Sequence, residues 1–180
     1  MKQLYRPLKP FVKGQRFGEN KACIEIGGTK VISCDGKNPP KGYKSVYGSE
    51  GHTGLDLAAY ARQPIMCARK GTVRSIDTNT RTGLDVRIET EVDGVRYRHV
   101  YEHLDAYNVR VGQDVETGEL IGWAGTTGKS SGVHLHFGVY ELQGDKWVPV
   151  DPEPLLYDGY AEDYLYYLNW VKWALQYLKK

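Results

Sequence analysis

The sequence predicts an all-β core, an antiparallel β-sandwich or barrel-like fold with long loops, followed by a C-terminal α-helix. Turn residues recur about every ten positions after Gln63, and β-branched or aromatic runs lie between them, which is typical of antiparallel strands. A fold of alternating strands and helices would have turn residues at wider spacing. The sequence also contains no internal repeat. The runs that predict strands are PIMCA, GTVRSID, LDVRIETEV, GVRYRHVYEHL, ELIGWAG, VHLHFGVYEL and KWVPV.

Residues 1–50 predict N-terminal loops and one hairpin that pack on this core. The segment is rich in glycine, lysine and proline, and the Gly-Gly pair in CIEIGGTKVISC indicates a hairpin turn. Cys23 and Cys34 near its ends face each other only if Ile26 pairs with Val31. A shift of one residue would place them on opposite faces, so a disulfide between them is left open.

Residues 158–180 predict an amphipathic, aromatic-rich helix. One apolar stripe follows the spacing of a helix, and acidic residues at its start and lysines at its end suit the helix dipole. A second stripe is aromatic, and core packing, a virion partner and self-association all remain open for it. The first stripe is Tyr164, Leu168, Val171, Leu175 and Leu178, and the second is Tyr166, Trp170, Trp173 and Tyr177.

Composition argues against several classes of protein. The 180 residues are 41% hydrophobic and 26% charged, which fits one globular domain with a real core. A net charge of +2 without a dense basic tract gives no support for nucleic-acid binding. We also expect no membrane insertion and no signal peptide, because neither MKQLYRPLKPFVKG nor any later segment has the required apolar length.

The histidines carry the chemical signal. In SSGVHLHFGVYEL, His134 and His136 lie two residues apart on a predicted strand and therefore project from one face. A lone histidine there would usually belong to a solvated polar face. His52 and Asp56 in GHTGLDL also share a face if the chain is extended, which Gly54 favours over a helix. Together these groups suit a divalent metal, and zinc is the usual ion for nitrogen and oxygen ligands.

Three motifs occur in one order: GHTGLDL, YEHL and GTTGKSSGVHLHFGVY, with VRVGQDVETGELIGWAG between the last two. In order and spacing they resemble the lysostaphin-type (LytM-like) zinc endopeptidases that cut peptidoglycan peptides. The resemblance covers residues 51–140, and GQRFGEN shows a weaker similarity. It implies a catalytic zinc peptidase core over residues 51–157. It implies one Zn²⁺ per chain and a bacterial peptidoglycan substrate.

The resemblance also implies roles for individual residues. His52, Asp56 and His136 would hold the zinc ion, and a water would fill the fourth position. His134 would deprotonate this water, and His103 of YEHL would stabilise the oxyanion or share the proton transfer, although the two roles could be exchanged. The glycine-rich loop before His134 would border the substrate groove. Its expected lining residues are Gly128, Ser130 and Gly132.

One further histidine and four acidic residues have no role in that motif. His99 has the strand parity of His103 and could face the cleft floor, but a structural or surface position is favoured. Each acidic residue is expected to be solvated, and one of them could accept a hydrogen bond from the far nitrogen of a histidine. The sequence does not show which of these it would be: Asp85, Asp93, Glu102 or Asp105.

The chain departs from the family in residues 21–49, a longer insertion than is typical. It would form one wall of the groove, so substrate preference does not carry over. The cut bond is open between a direct D-alanyl cross-link, which we prefer, and a glycine bridge. The missing signal peptide favours a phage lysin made in the host cytoplasm and acting at the cell wall, either an endolysin or a virion component.

Two other functions fit parts of the sequence. ARKGTV and VRVGQDVETGELIG resemble biotinyl and lipoyl carrier domains, but these carry a modified lysine where this chain has Glu-Thr-Gly at 116–118. A catalytically inactive module of a virion or a cell-wall regulator is the second alternative. Inactive relatives usually lack metal ligands, whereas His52, Asp56 and His136 are all present. The sequence therefore favours a working peptidase.

Overall fold

The computed structural model describes residues 4–9, 11–18, 51–156 and 171. Its core is one antiparallel sheet of nine strands, which confirms the predicted all-β class. The described strands do not close into a barrel. The strands are β1 Gly54–Ala58, β2 Pro64–Met66, β3 Gly71–Asn79, β4 Gly83–Val92, β5 Val95–Tyr107, β6 Asp114–Val115, β7 Leu120–Ala124, β8 His134–Gln143 and β9 Lys146–Val150, and a 3₁₀ turn follows at Glu153–Leu155.

The strand order brings the separated motifs together. The main path of the sheet is β1-β8-β5-β4-β3-β6, while β9 pairs with β8 and β7 joins β5 to β2. Asp56 on β1 lies directly opposite His136 on β8, and His136 lies opposite Glu102 on β5. Directly opposite side chains lie on the same face of a sheet. These three residues therefore form a row across three adjacent strands.

Strict alternation along β8 separates the core from the cleft. Leu135 and Phe137 are fully buried on the core face, while His134 and His136 project to the other side. Burial of each apolar side chain stabilises the fold by about 1.5–3 kcal/mol. The buried core also includes Leu55, Leu57, Ile65, Val73, Val86, Ile88, Tyr101, Leu104, Ile121 and Val139.

A bulge interrupts the alternation of β5. Leu104 pairs with Leu84 and Tyr101 pairs with Val86, so that Glu102 and His103 together face Asp85. His103 has a φ of 64°, a left-handed conformation that is uncommon for a residue other than glycine. A bulge of this kind bends the strand and redirects its side chains. Beyond it, the even-numbered Leu104 enters the core, where the preceding odd-numbered residues lie.

The N-terminal segment covers the free edge of β1. Asp56 accepts a backbone hydrogen bond from Gly14 and donates one to Gln15, and Ala58 donates one to Val12. Leu4, also in this segment, is fully buried. These contacts protect an edge strand and hold the backbone of Asp56 through both its N–H and its carbonyl. The described part of the N-terminus therefore packs on the core.

Several predicted features lie outside the described residues. These are the Cys23–Cys34 hairpin, the insertion 21–49 and nearly all of the helix predicted over 158–180. Val171 alone is described there, with helical backbone, and one residue does not support the helix, which stays a prediction. Within the described ranges, no helix is long and apolar enough to span a membrane.

Candidate active site

A cleft of about 480 Å³ opens where β1, β8 and β5 meet. Four of the five histidines line it together with Asp56 and Glu102. One wall of the cleft is the glycine-rich loop at residues 128–131. Gln15 of the N-terminal segment also lines the cleft. Sheet pairing and loop packing thus gather residues that lie up to 121 positions apart, from Gln15 to His136.

Three ligand atoms converge in this cleft. His52 Nε2, Asp56 Oδ1 and His136 Nδ1 each lie 3.0 Å from the other two. In a tetrahedral zinc site with bonds of about 2.0–2.1 Å, neighbouring ligands lie about 3.3 Å apart. Two imidazoles and one carboxylate are also a common catalytic zinc set. Both the donor types and their spacing therefore fit a zinc ion.

Local structure explains why these atoms meet. Asp56 and His136 are direct cross-strand partners, and His52 lies just before β1. The His52 Nδ1–H is directed at the backbone carbonyl of Arg16, 3.0 Å away, which turns Nε2 toward Asp56. Gly54 leaves room for the histidine ring, because a Cβ there would lie 2.9 Å from His136 Nε2. The glycine in GHTGLDL is thus required by close packing.

Electrostatics favour a cation at this point. Burial would raise the pKa of Asp56, but hydrogen bonds with His136 and His52 outweigh it and hold that pKa well below its usual range. Burial would lower the pKa of His136, but the Glu102 and Asp56 carboxylates outweigh it and raise that pKa. A bound metal would displace the proton from His136 Nδ1, because imidazole binds metals only through a deprotonated nitrogen.

Two more histidines lie beside the ligand triangle. The ring centroids of His103 and His134 are 4.6 Å apart, and His134 Nε2 lies 3.6 Å from Asp56 Oδ1. His103 Nδ1 is 2.8 Å from the Thr127 carbonyl oxygen, and His134 Nδ1 is 2.9 Å from that of Gly132. A carbonyl only accepts, so Nδ1 carries the hydrogen in both rings and each neutral ring presents a basic Nε2.

His103 is neutral near pH 7. Burial, together with the nearby His134 and His136, outweighs the opposing hydrogen bond to Thr127 and lowers its pKa to about 4. A neutral imidazole with its Nδ1–H already bound to a carbonyl offers only a lone pair to the cleft. His103 can therefore accept a proton there and donate it again readily.

The structure corrects the expected positions of two acidic residues. Glu102 lies in the cleft, and burial raises its pKa. Asp85 is fully buried, pairs with Arg87 at 2.9 Å and accepts a hydrogen bond from Thr82 at 2.6 Å. Neither is a fully solvated charge, because Asp85 is enclosed with Arg87 and Thr82 and Glu102 is half-buried in the cleft wall. Asp93 and Asp105 are exposed, as expected.

His99 does not face the cleft floor. It is fully buried in the core, so the structural position favoured for it is confirmed and the cleft alternative is wrong. Both ring nitrogens lack a partner within the described part of the chain. Burial and the nearby Arg69 charge lower its pKa to about 3, so the ring is neutral in the folded protein.

The predicted groove residues differ in position. Gly128 and Ser130 line the cleft. Gly128 has a φ of 72° and lies against the backbone of Gly83, so a side chain there would collide. Gly132 lies beside the cleft lining, where its carbonyl binds His134. The sequence names Glu102 as a solvated charge or a possible histidine partner but does not place it in the cleft, and Gln15 and Arg81 also line the cleft without having been predicted.

Comparisons with known proteins agree with this geometry. The model of peptidase family M23 matches residues 50–152. Glycyl-glycine endopeptidase ALE-1 of Staphylococcus capitis is 35% identical over 106 residues, which is 58% of this chain and 29% of that protein. The matched part thus spans less than a third of this curated relative.

Solved structures show the same fold. The catalytic domain of lysostaphin from Staphylococcus simulans matches with a TM-score of 0.58 and 27% identity, covering 80% of this chain and 90% of that domain. A zinc-containing peptidase from Vibrio cholerae matches with a TM-score of 0.60 and 27% identity, covering 83% of this chain and 39% of that one. The family model covers more than half of the chain and includes the whole β-sheet that carries the cleft. The chain therefore belongs to peptidase family M23.

Proposed function

We propose that this chain is a zinc-dependent endopeptidase that hydrolyses peptide cross-links of bacterial peptidoglycan. The observation that carries the proposal is the triangle of His52 Nε2, Asp56 Oδ1 and His136 Nδ1, with two basic imidazole nitrogens beside it. The substrate class is supported by the relatives, one of which is named a glycyl-glycine endopeptidase.

His52, Asp56 and His136 would hold the ion. Zinc bound there supplies Lewis-acid chemistry, which polarises a carbonyl and lowers the pKa of water. The three ligands come from β1, β8 and the turn before β1, elements that the sheet ladder and the N-terminal segment hold in place. We expect little rearrangement of the backbone when the metal binds, since the three atoms already converge.

His134 is the proposed general base. As a water molecule attacks the scissile carbonyl carbon, Nε2 of His134 accepts the proton that the water loses. The same proton then passes to the amide nitrogen as the C–N bond breaks. Hydrogen bonding of Nδ1 to Gly132, with Ser130 Oγ 3.2 Å away, keeps the ring oriented for both transfers.

His103 is proposed to stabilise the developing oxyanion. Its lowered pKa, about 4, makes it a weak base but a strong acid once protonated. Because the negative charge of the oxyanion favours the imidazolium form, Nε2 of His103 would take up a proton from solvent as the oxyanion develops and donate a hydrogen bond to it. The proton would return to solvent when the oxyanion collapses.

Digestion of purified peptidoglycan tests the proposal. A directly cross-linked and a glycine-bridged wall are each incubated with the zinc-loaded protein, the chelator-treated protein and His134→Ala, and the products are identified by mass. New peptide ends that require zinc and His134 are expected, and their masses name the bond. His99→Leu is the matched control, because it removes a histidine outside the cleft.

Full zinc occupancy without cleavage of either wall would contradict the proposal. The chain would then be a binding or assembly module, the function that inactive relatives perform. The phage origin, the action at the host cell wall and the partner surface on the C-terminal helix stay predictions of the sequence.

A further inference from the structure

Three of the four cleft histidines are oriented by the same kind of hydrogen bond. In each, Nδ1 donates to a backbone carbonyl, which directs Nε2 into the cleft. Such partners fix both the tautomer and the orientation of a ring that binds metal or moves protons. The pairs are His52 with Arg16 at 3.0 Å, His103 with Thr127 at 2.8 Å and His134 with Gly132 at 2.9 Å.

His136 has the opposite ring orientation. Its Nδ1 faces the ligand triangle, 3.0 Å from both His52 Nε2 and Asp56 Oδ1. Its Nε2 is buried and has no hydrogen-bond partner within the residues that the structure describes. When Nδ1 binds a metal, Nε2 must carry the hydrogen. A buried N–H without an acceptor destabilises the ligand-competent ring.

Glu102 is the group placed to supply that acceptor. It lies directly opposite His136 on β5 and lines the same cleft. Direct cross-strand partners have Cβ atoms about 4.5–5.5 Å apart, within reach of a glutamate side chain. Gly54 and Gly138 flank His136 Nε2, and a Cβ on them would lie 2.9 and 3.8 Å from it, so neither residue covers this nitrogen with a side chain.

We propose that Glu102 accepts a hydrogen bond from His136 Nε2–H, directly or through one water, and so positions Nδ1 for the metal. The inference rests on the metal site of the proposed function. Glu102 is a positioning residue, since it acts through His136 and not on the substrate. The regular β5–β8 register sets this arrangement, and the β5 bulge adds His103 to the same cleft.

Zinc affinity provides the first test. The zinc dissociation constant is measured by competition with a chromophoric chelator for the wild type, Glu102→Leu and Glu102→Gln. We expect Glu102→Leu to weaken zinc binding about 10–100-fold. Glu102→Gln should retain most of the affinity, because its amide oxygen also accepts a hydrogen bond. Glu91→Gln is the matched control, an exposed glutamate on β4 outside the cleft.

The histidine tautomer provides a readout that needs neither zinc nor activity. Nitrogen NMR of the metal-free protein, under conditions in which His136 is neutral, should show its hydrogen on Nε2 in the wild type. In Glu102→Leu the hydrogen should shift toward Nδ1, where Asp56 accepts it. If Glu102→Leu does not fold, the wild-type tautomer alone still tests the contact, because a hydrogen on Nδ1 of neutral His136 would contradict it.

Unchanged zinc affinity in both variants, with an unchanged His136 tautomer, would overturn the inference. A raised KM with normal zinc affinity would also overturn it and make Glu102 a substrate-binding residue. A wild type that binds no zinc would refute the proposed function, while the tautomer would still decide the contact between Glu102 and His136.

Discussion

The two central strands, β8 and β5, each carry a pair of histidines, and they use them differently. On β8, His134 and His136 are two residues apart and both face the cleft. On β5, His99 and His103 also have equal parity, yet His99 is buried in the core and His103 faces the cleft. The strands differ because β8 alternates regularly there, whereas β5 has a bulge at Glu102 and His103.

The comparison shows that parity along a strand is reliable only as far as the next bulge. Up to Tyr101, odd-numbered residues of β5 enter the core. Two residues then oppose Asp85, and His103 adopts a left-handed backbone that turns its ring to the other face. One strand therefore supplies a core histidine, a cleft carboxylate and a cleft histidine within five residues.

The largest expected effect comes from the ligand on β8. His136→Ala should lose zinc and reduce cleavage to the background rate, because two remaining ligands hold the ion poorly. The zinc content per chain measures the loss of metal, and the release of new peptide ends measures the loss of cleavage. His99→Leu on β5 should keep full zinc and activity. A His136→Ala protein with normal zinc content would remove His136 from the ligand set.

The next largest effect is a fall in kcat when either of the two proposed proton-transfer histidines is replaced. His134→Asn and His103→Asn should each keep zinc and lower kcat about 10²–10⁴-fold, the usual contribution of general acid–base catalysis. Asparagine is chosen because it tolerates the positive φ of His103. Zinc binding and single-turnover cleavage are the measurements. Loss of zinc in one variant alone would show that its histidine is a ligand.

A smaller effect concerns acid stability and the core histidine. The folded pKa of His99 is about 3, below the ordinary 6.5, so the unfolded chain binds more protons between these values. The free energy of unfolding therefore falls as pH drops through this range, by about 1.4 kcal/mol per pH unit for one group. His103, with a pKa of about 4, acts in the same direction.

His99→Leu should make the free energy of unfolding depend less steeply on pH, by the contribution of one titrating group. Urea unfolding at several pH values between the two pKa values measures the difference from the wild type. The variant should also be at least as stable at neutral pH, because it removes a buried group with two unpaired nitrogens. Parallel pH slopes for the two proteins would mean that His99 is protonated equally in both states.

The smallest effect is expected at the loop that holds His134. Ser130→Ala removes an oxygen 3.2 Å from His134 Nδ1 and the hydroxyl that donates to the Gly132 carbonyl at 2.7 Å, but that carbonyl can still accept from His134. A neutral hydrogen bond contributes about 0.5–1.5 kcal/mol, and only the bond to His134 acts on the ring directly, so kcat should fall about two- to tenfold with zinc affinity unchanged. A loss as large as that of His134→Asn would show that the serine takes part in catalysis.

The strand runs and the face of His134 and His136 were predictable because they depend on local alternation. The shared position of His52 and Asp56 followed from the same rule once Gly54 argued against a helix. The burial of Asp85 and the cleft position of Glu102 were not predictable. The cleft position of Glu102 depends on its pairing with His136 across β5 and β8, and the surroundings of Asp85 depend on the pairing of β4 with β5. No single strand sequence marks either register.

The sequence by itself determined the class of fold, the faces of β8 and the types of ligand available, because side-chain direction and donor chemistry are local properties. Only the tertiary structure decided that three ligand atoms meet at 3.0 Å, which nitrogen of each ring faces the cleft, and which acid lies beside His136. The physical reason is that these depend on register between strands distant in the chain. That register is set by pairing and core packing across the whole sheet.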